Sequence, residues 1–460
     1  MSRLRITDNH DWIHFQKVGQ DASKADLKNL EQIANVPISK LSLDDNPNLL
    51  LFPRDFSSCE DKISESEIIS LKDENVKTGN IMGFVGVNET QLDICSRFDK
   101  QNTDDYFLHY ILQKVFSINL FDIKHSLSKE PVFDFLLYLF PHFLKKALAQ
   151  GLFKKYKRNE YNDANLKGPI DISRHLRQNI PFRGTIAYSA REHSYDNEVT
   201  QLVRHTIEYI KQKEQGRIIL TNDNETKSCV SQIMMATPSY SYQSRQRVIN
   251  DNLRPLKHPY FTEYTHLQRL CLQILRHEAI KFGQEKDKVY GVLFDGAWLW
   301  EEYLSTILKP LKFKHPQNKK SKGGLPKGGL PMFVEPQNGD TFADGEQIDR
   351  NSRKLYPDFW KDNYIIDAKY KHLNQGVSRE DLYQVVTYMY CKQAKNGGYI
   401  YPFEQQSKPQ KFKLVGYGGI MSVIPFYVPQ TAQSWNNFMN VIHDSENQLR
   451  KDLTCPPPAS

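Results

Sequence analysis

Arg353-Lys354-Leu355-Tyr356-Pro357-Asp358-Phe359-Trp360-Lys361-Asp362-Asn363-Tyr364-Ile365-Ile366-Asp367-Ala368-Lys369-Tyr370 is the stretch from which the fold of this chain is read. It forms a tight hairpin pattern: Leu355 to Trp360, a two-residue loop at Asp362-Asn363 suited to positive φ, then Tyr364 to Tyr370. That register sets Asp358 across from Asp367, with Cβ atoms roughly 5 Å apart on one face. Alternation puts Lys369 on the face of Asp367 and Ala368 on the other. Two carboxylates so close repel unless a cation lies between them. A hard divalent ion such as Mg²⁺ suits an all-oxygen site. A lysine beside it can orient a water or stabilise charge developing on a phosphate.

Two helices flank the hairpin in sequence. Upstream, the run from Ala297 to Leu308 carries an apolar stripe at 297, 300, 304, 307 and 308. At about 100° per residue, Glu301 falls on the border of that stripe, able to reach a site over the sheet, whereas Glu302 points nearly opposite, toward solvent. Downstream, Ser378 is an N-cap, Leu382, Val385, Val386 and Met389 form the apolar face, and Gln384 and Tyr388 lie four apart on one side.

Asp358 followed by Asp367-Ala368-Lys369 resembles the pattern of the PD-(D/E)XK nucleases. Gln384-x-x-x-Tyr388 looks like the element that follows the catalytic lysine in RecB-like members of that superfamily. Taken singly, these residues also fit a solvated hairpin, a helix-flank amide and a packed aromatic. The order Glu301, Asp358, Asp367-x-Lys369, Gln384-x-x-x-Tyr388 favours the nuclease.

With 460 residues, 39% hydrophobic and 25% charged, the chain has room for two or three domains and a sizeable core. The net charge of +7 is unevenly spread. Residues 42–75 carry nine acids and three basic residues, 140–185 carry ten Lys and Arg and three acids, and 309–327 hold seven lysines and no acid. Each run alone reads as a solvated face; two basic runs beside a metal-site candidate favour a polyanionic partner. The six scattered cysteines include no CxxC pair, which argues against a disulfide framework or zinc ribbon and fits a reducing cytoplasm. Neither a signal peptide nor a transmembrane span is expected; the most apolar run, Val132 to Leu144, is broken by Asp134 and Pro141.

Along the chain, residues 1–128 read as a β-rich or mixed domain, with strands at 48–53, 81–87 and 92–98 and a polar loop over 57–80. Residues 129–284 read as a helical middle, with helices over 133–152, 197–211 and from about 261 to 282. Residues 285–460 read as a restriction-endonuclease-like (PD-(D/E)XK) α/β domain, closed by strands at 397–402 and 412–416 and a helix over 433–452. The Gly-Gly-Leu-Pro repeat within 323–331 lacks Gly-Lys-Ser/Thr and is a lysine-rich loop, not a phosphate cradle, so any nucleotide chemistry must belong to a partner. The overall fold class is thus multidomain α/β.

Gly151-Leu152-Phe153-Lys154-Lys155-Tyr156, then Glu160, then Leu166-Lys167-Gly168-Pro169-Ile170-Asp171 resembles the McrC family. There the same segment precedes a helix like Trp300-Glu301-Glu302-Tyr303 and a hairpin like Pro357 to Lys371. Gly83-Phe84-Val85-Gly86-Val87 and Leu92-Asp93-Ile94 look like that family's N-terminal domain. The match spans roughly 80–400. The resemblance implies an Mg²⁺-dependent endonuclease acting on double-stranded DNA in an antiviral restriction system of McrBC or LlaJI type. Its partner would be a hexameric AAA+ GTPase, with GTP entering only through that partner. It further implies that Asp358, Asp367, the Ala368 carbonyl and Glu301 serve the metal, that Lys369 positions the attacking water, and that Gln384 and Tyr388 fix the lysine or the phosphate. Residues 1–128 would dock on the motor, with Arg54 and Arg97 as candidates to place positive charge near its nucleotide, a surface role being the alternative. Two rivals stay open: a non-catalytic adaptor of an AAA+ partner, and a free-standing RecB-like exonuclease or repair nuclease.

Overall fold

The computed structural model describes residues 2–19, 22–41, 49–52, 66–98, 105–116, 131–213, 216–221, 223–281, 289–315, 330–331, 354–373, 376–416, 418–432 and 434–454. Arg54, most of the Gly-Gly-Leu-Pro repeat and the tail from Cys455 lie outside them. The chain is mixed α/β with several sheets, and it divides into two units: Met1–Ile118 with Lys286–Ser460, and Asn119–Glu285.

The first part of unit one contributes β1 (Ser2–Thr7), β2 (Ile13–His14), α1 (Lys24–Leu30), β3 (Leu49–Phe52), β4 (Ile69–Lys72), β5 (Asn75–Thr78), β6 (Ile81–Val87), β7 (Thr90–Cys95) and α2 (Tyr106–Phe116). The expected strands at 48–53, 81–87 and 92–98 correspond to β3, β6 and β7. The polar loop expected over 57–80 is corrected from residue 69 onward. There β4 and β5 form a hairpin through Asp73 and Glu74, both at positive φ (47° and 60°), as a tight two-residue turn requires. Charged residues at the turn hid the alternation of Ile69, Leu71 and Val76.

Unit two holds α3 (Pro131–Ala149), β8 (Lys155–Asp163), α4 (Ile172–Gln178), β9 (Ile186–Ser194), α5 (Glu198–Lys211), α6 (Gly216–Thr221), α7 (Asn224–Ala236), α8 (Arg245–Asp251) and α9 (Glu263–Lys281). Helices α3, α5 and α9 sit where apolar periodicity put them. Asn197 caps α5, accepting from the Val199 and Thr200 N–H groups. The region is not wholly helical: β8 and β9 pair antiparallel from Lys155 opposite Ser194 to Asp163 opposite Ile186. The basic and polar residues on these strands gave no apolar alternation by which to find them.

Unit one resumes with β10 (Val289–Asp295), α10 (Gly296–Leu308), β11 (Leu330–Pro331), β12 (Lys354–Leu355), β13 (Phe359–Lys361), β14 (Tyr364–Ala368), α11 (Arg379–Lys392), β15 (Asn396–Phe403), β16 (Gln410–Lys413), β17 (Ile420–Tyr427) and α12 (Trp435–Thr454). Strand β10 does not open a separate C-terminal domain at 285. It is inserted into the N-terminal sheet, in the order β1-β7-β6-β10-β3. Val289-Tyr290-Gly291-Val292-Leu293-Phe294 is nearly all apolar, as a strand buried on both faces must be. Gly83 and Gly291 permit its close crossing with β6: a Cβ on either would fall 2.2–2.3 Å from a carbonyl oxygen of the other strand. The core of this sheet includes Leu4, Ile6, Val85, Leu92, Ile94 and Leu293.

The second sheet runs β13-β14-β15-β17-β16, with β14, β15 and β17 parallel and both edges antiparallel. A parallel β14–β15 pair needs a crossover, and α11 supplies it. Gly397 lets α11 close on β15, since a Cβ there would lie 2.3 Å from Met389 Sδ. Helix α10 buries Leu299, Trp300, Tyr303, Leu304, Ile307 and Leu308, a face turned slightly from the expected stripe. Each of its fully buried Leu or Ile side chains contributes about 1.5–3 kcal/mol. Trp300 Nε1 donates to the Ile400 carbonyl of β15, fixing the helix on the sheet. Among the described residues no helix is long and apolar enough to cross a membrane, and Cys95, Cys229, Cys271 and Cys391 are free thiols.

Candidate active site

The hairpin of β13 and β14 pairs Phe359 with Ile366, Trp360 with Ile365 and Lys361 with Tyr364, closing through Asp362 at φ 45°. One step further, Asp358 meets the end of β14: its Oδ2 accepts the Ala368 N–H at 2.6 Å. On the outer side, Lys314 exchanges both backbone hydrogen bonds with Trp360 at 2.8 and 3.0 Å, which brings His315 alongside. His315 Nδ1 lies 2.7 Å from the Asp358 carbonyl oxygen, which can only accept, so that nitrogen carries a proton. The ring stacks on Phe359 at 4.6 Å.

Asp367 is buried, and its Oδ2 faces Lys369 Nζ at 2.6 Å. The approach makes an ion pair but not a directed hydrogen bond, so that oxygen has no hydrogen-bond donor. Burial raises the Asp367 pKa above the usual carboxylate range, and Lys369 offsets only part of this. Burial alone would lower the Lys369 pKa; Asp367 and then Asp381 and Asp358 outweigh it and hold the ammonium charged. Lys369 Nζ also donates to Gln384 Oε1 at 3.1 Å, and Gln384 Nε2 donates to the Tyr388 hydroxyl at 2.8 Å. Burial pushes the Tyr388 phenol up to about 12.

The structure therefore brings together Asp358, Asp367, Ala368, Lys369, Gln384 and Tyr388. Glu301 sits half-buried on α10, but among the described residues no three His, Cys, Asp or Glu side chains gather closely enough to hold a metal. Glu302 is not simply solvated: its carboxylate lies 4.0 Å from His315 Nε2. What is present, a half-exposed carboxylate and a buried one with an oxygen lacking a directed donor, fits a hard cation that keeps part of its water shell.

Two residues near the site, Asp381 and His315, are not among those expected from the sequence. Asp381 Oδ1 lies 3.3 Å from Lys369 Nζ, and its Oδ2 takes the Lys371 ammonium. Burial would raise the Asp381 pKa, but Lys371, Ser378 and Lys369 bring it below the usual range. Its spacing was a usable signal: Asp381, Gln384 and Tyr388, at i, i+3 and i+7, share one face of α11. His315 gave none, being joined to the hairpin from across residues 316–353.

Arg97 needs correction as a partner-facing arginine. Its side chain is 8% exposed, its backbone N–H and Nε donate to Asp8 at 2.6 and 2.9 Å, and its guanidinium lies 4.7 Å from the Tyr370 ring. Tyr370, the residue after Lys369, is itself buried, with its hydroxyl 2.9 Å from Ser96 Oγ.

A family model described as McrBC 5-methylcytosine restriction system component matches residues 76–402. Among solved structures, the refined half-complex from the tetradecameric assembly of Thermococcus gammatolerans McrB AAA+ hexamers with bound McrC is similar at 16% identity and a TM-score of 0.47, covering 96% of this chain and 100% of that one. The cryo-EM structure of the Thermococcus gammatolerans McrBC complex is similar at 16% identity and a TM-score of 0.33, covering 67% of this chain and 87% of that one. No curated protein matches.

Proposed function

Because the chain belongs to the McrBC family of 5-methylcytosine restriction system components, we propose that it is the DNA-cleaving subunit of such a system, an Mg²⁺-dependent endonuclease driven by an AAA+ GTPase of McrB type. The observation that carries this is the buried Asp367 carboxylate, with one oxygen lacking a directed donor, ion-paired to a lysine that also reaches Gln384 and Asp381. Asp358, Asp367 and the Ala368 carbonyl would hold the cation, and Glu301 would serve it from α10 without joining that set in this structure. When bound, the cation would neutralise phosphate charge and acidify a water. The chain's own residues supply the geometry. The Ala368 N–H and His315 fix Asp358, and Tyr388 holds the amide of Gln384, whose oxygen in turn steadies Lys369 Nζ. So held, Lys369 can orient a water toward the phosphorus or donate to a phosphate oxygen. The substrate is double-stranded DNA.

Residues 1–128 would dock on the motor and stimulate its GTP hydrolysis. Truncation is a poor test of that assignment, because β10 would lose both sheet neighbours, β3 and β6. Single surface substitutions scored by GTP turnover of the partner are the appropriate measurement.

The chemical reading is tested by duplex cleavage with the AAA+ partner, GTP and Mg²⁺. Lys369→Ala is expected to lose about 10³-fold or more, roughly 4 kcal/mol at the transition state. Asp362→Ala, in the exposed turn, should stay within about twofold of the parent, a change of under about 0.5 kcal/mol. Full cleavage by Lys369→Ala would remove the hairpin from the mechanism.

A further inference from the structure

Lys369 Nζ stands among three oxygens on three different side chains, two of them carboxylates. Nζ is 2.6 Å from Asp367 Oδ2, 3.1 Å from Gln384 Oε1 and 3.3 Å from Asp381 Oδ1. Asp381 is held in place from every side. Its Oδ2 takes Lys371 Nζ and, at 2.5 Å, Ser378 Oγ; its N–H donates back to Ser378 Oγ; its carbonyl accepts the buried Tyr399 hydroxyl at 2.5 Å. It also stands in the first turn of α11, where helix N–H groups favour a carboxylate. Oδ1 is the oxygen left over, and among the described residues Lys369 is its only partner.

The ammonium, 2.6 Å from Asp367 Oδ2 without a directed hydrogen bond, stands where a divalent cation on that oxygen would have to sit beside it. Two cations on one buried oxygen repel strongly in a poorly polarisable interior. We propose that Asp381 is the second seat of Lys369, a positioning residue that draws the ammonium away from Asp367 and frees Oδ2 for the cation. The shift is short, because both seats already lie within reach, and it leaves Nζ between Asp381 Oδ1 and Gln384 Oε1. This rests on the Mg²⁺ nuclease reading above.

The test is Mg²⁺ binding by titration calorimetry on the full chain, independent of cleavage. Asp381→Asn keeps an acceptor for Ser378 and should weaken Mg²⁺ affinity about tenfold, roughly 1.4 kcal/mol. Lys369→Ala should bind at least as tightly as the parent, and the double variant should match Lys369→Ala, since without the lysine there is nothing to draw away. Adding Gln384→Glu to Asp381→Asn should restore affinity by rebuilding an anionic seat, which would show that the protein remains folded. Unchanged affinity in Asp381→Asn would overturn the proposal, as would a tenfold loss that persists in the Lys369→Ala background. A parent protein with no Asp367-dependent Mg²⁺ uptake would overturn the nuclease reading itself, and the proposal with it.

Discussion

Asp8 and Asp367 are buried carboxylates, each opposite a cation, one beside each sheet of the same unit, yet they are finished differently. Asp8 is closed: Arg97 gives it a backbone N–H at 2.6 Å and two guanidinium contacts at 2.9 and 2.7 Å, and the guanidinium packs against Tyr370. Asp367 is open: its cation is a lysine shared with Asp381 and Gln384, and Oδ2 lacks a directed donor. Arginine presents a rigid fork that satisfies one carboxylate completely, whereas lysine is a mobile point charge that can be reassigned. The contrast separates a pair built to hold the fold from one built to exchange partners.

The largest stability effect belongs to the closed pair. Arg97→Ala strands Asp8 and removes the contact with Tyr370, so it should cost about 3–5 kcal/mol in urea unfolding near pH 8. A loss under about 1 kcal/mol would mean that the pair is not closed in solution.

On the catalytic side, Glu301→Gln should slow cleavage about 10²-fold, roughly 2.7 kcal/mol, and Glu302→Gln by no more than about threefold, because it acts only through His315. The reverse order in single-turnover assays would transfer the third carboxylate's part to Glu302. His315→Ala should slow cleavage about tenfold by loosening Asp358, about 1.4 kcal/mol. His315→Asn, whose amide nitrogen can replace Nδ1 as donor, should recover most of it. Equal losses in both would assign His315 to packing on Phe359 instead.

The smallest expected effect is a pH dependence. Burial raises the Asp8 pKa to about 6, with Arg97 pulling it part of the way back. A carboxyl whose folded pKa is raised contributes stability that is complete below its unfolded value and is lost as pH rises through the folded one. The Arg97→Ala deficit should therefore shrink as pH falls from about 7 to about 4, where Asp8 is neutral with or without its partner. A deficit constant over that window in urea titrations would contradict the assignment.

How much of this was legible in the sequence depended on how local each signal was. The hairpin around Asp362, the cap at Ser378 and the Gln384–Tyr388 spacing are patterns within a few residues, and the structure has them where the sequence put them. Residues 289–295 fall inside the domain expected to begin at 285, and nothing local announces strand β10, because its partners, β3 and β6, lie some two hundred residues earlier. Asp381 was hidden by its own plausibility as part of a helix cap, a role it also fills. Arg97 looked like a surface arginine because nothing near it in sequence announces Asp8.

The most direct measurement on the central claim pairs cleavage with thermal stability in one preparation of Asp367→Asn, assayed with the AAA+ partner, GTP and Mg²⁺. Neutralising a buried carboxylate that the fold does not fully satisfy should leave the unfolding midpoint unchanged or higher. It should also reduce duplex cleavage by about 10³-fold or more, roughly 4 kcal/mol at the transition state. Cleavage at the parent rate, or a lowered midpoint that accounts for the lost activity, would contradict the claim that this open pair exists for chemistry.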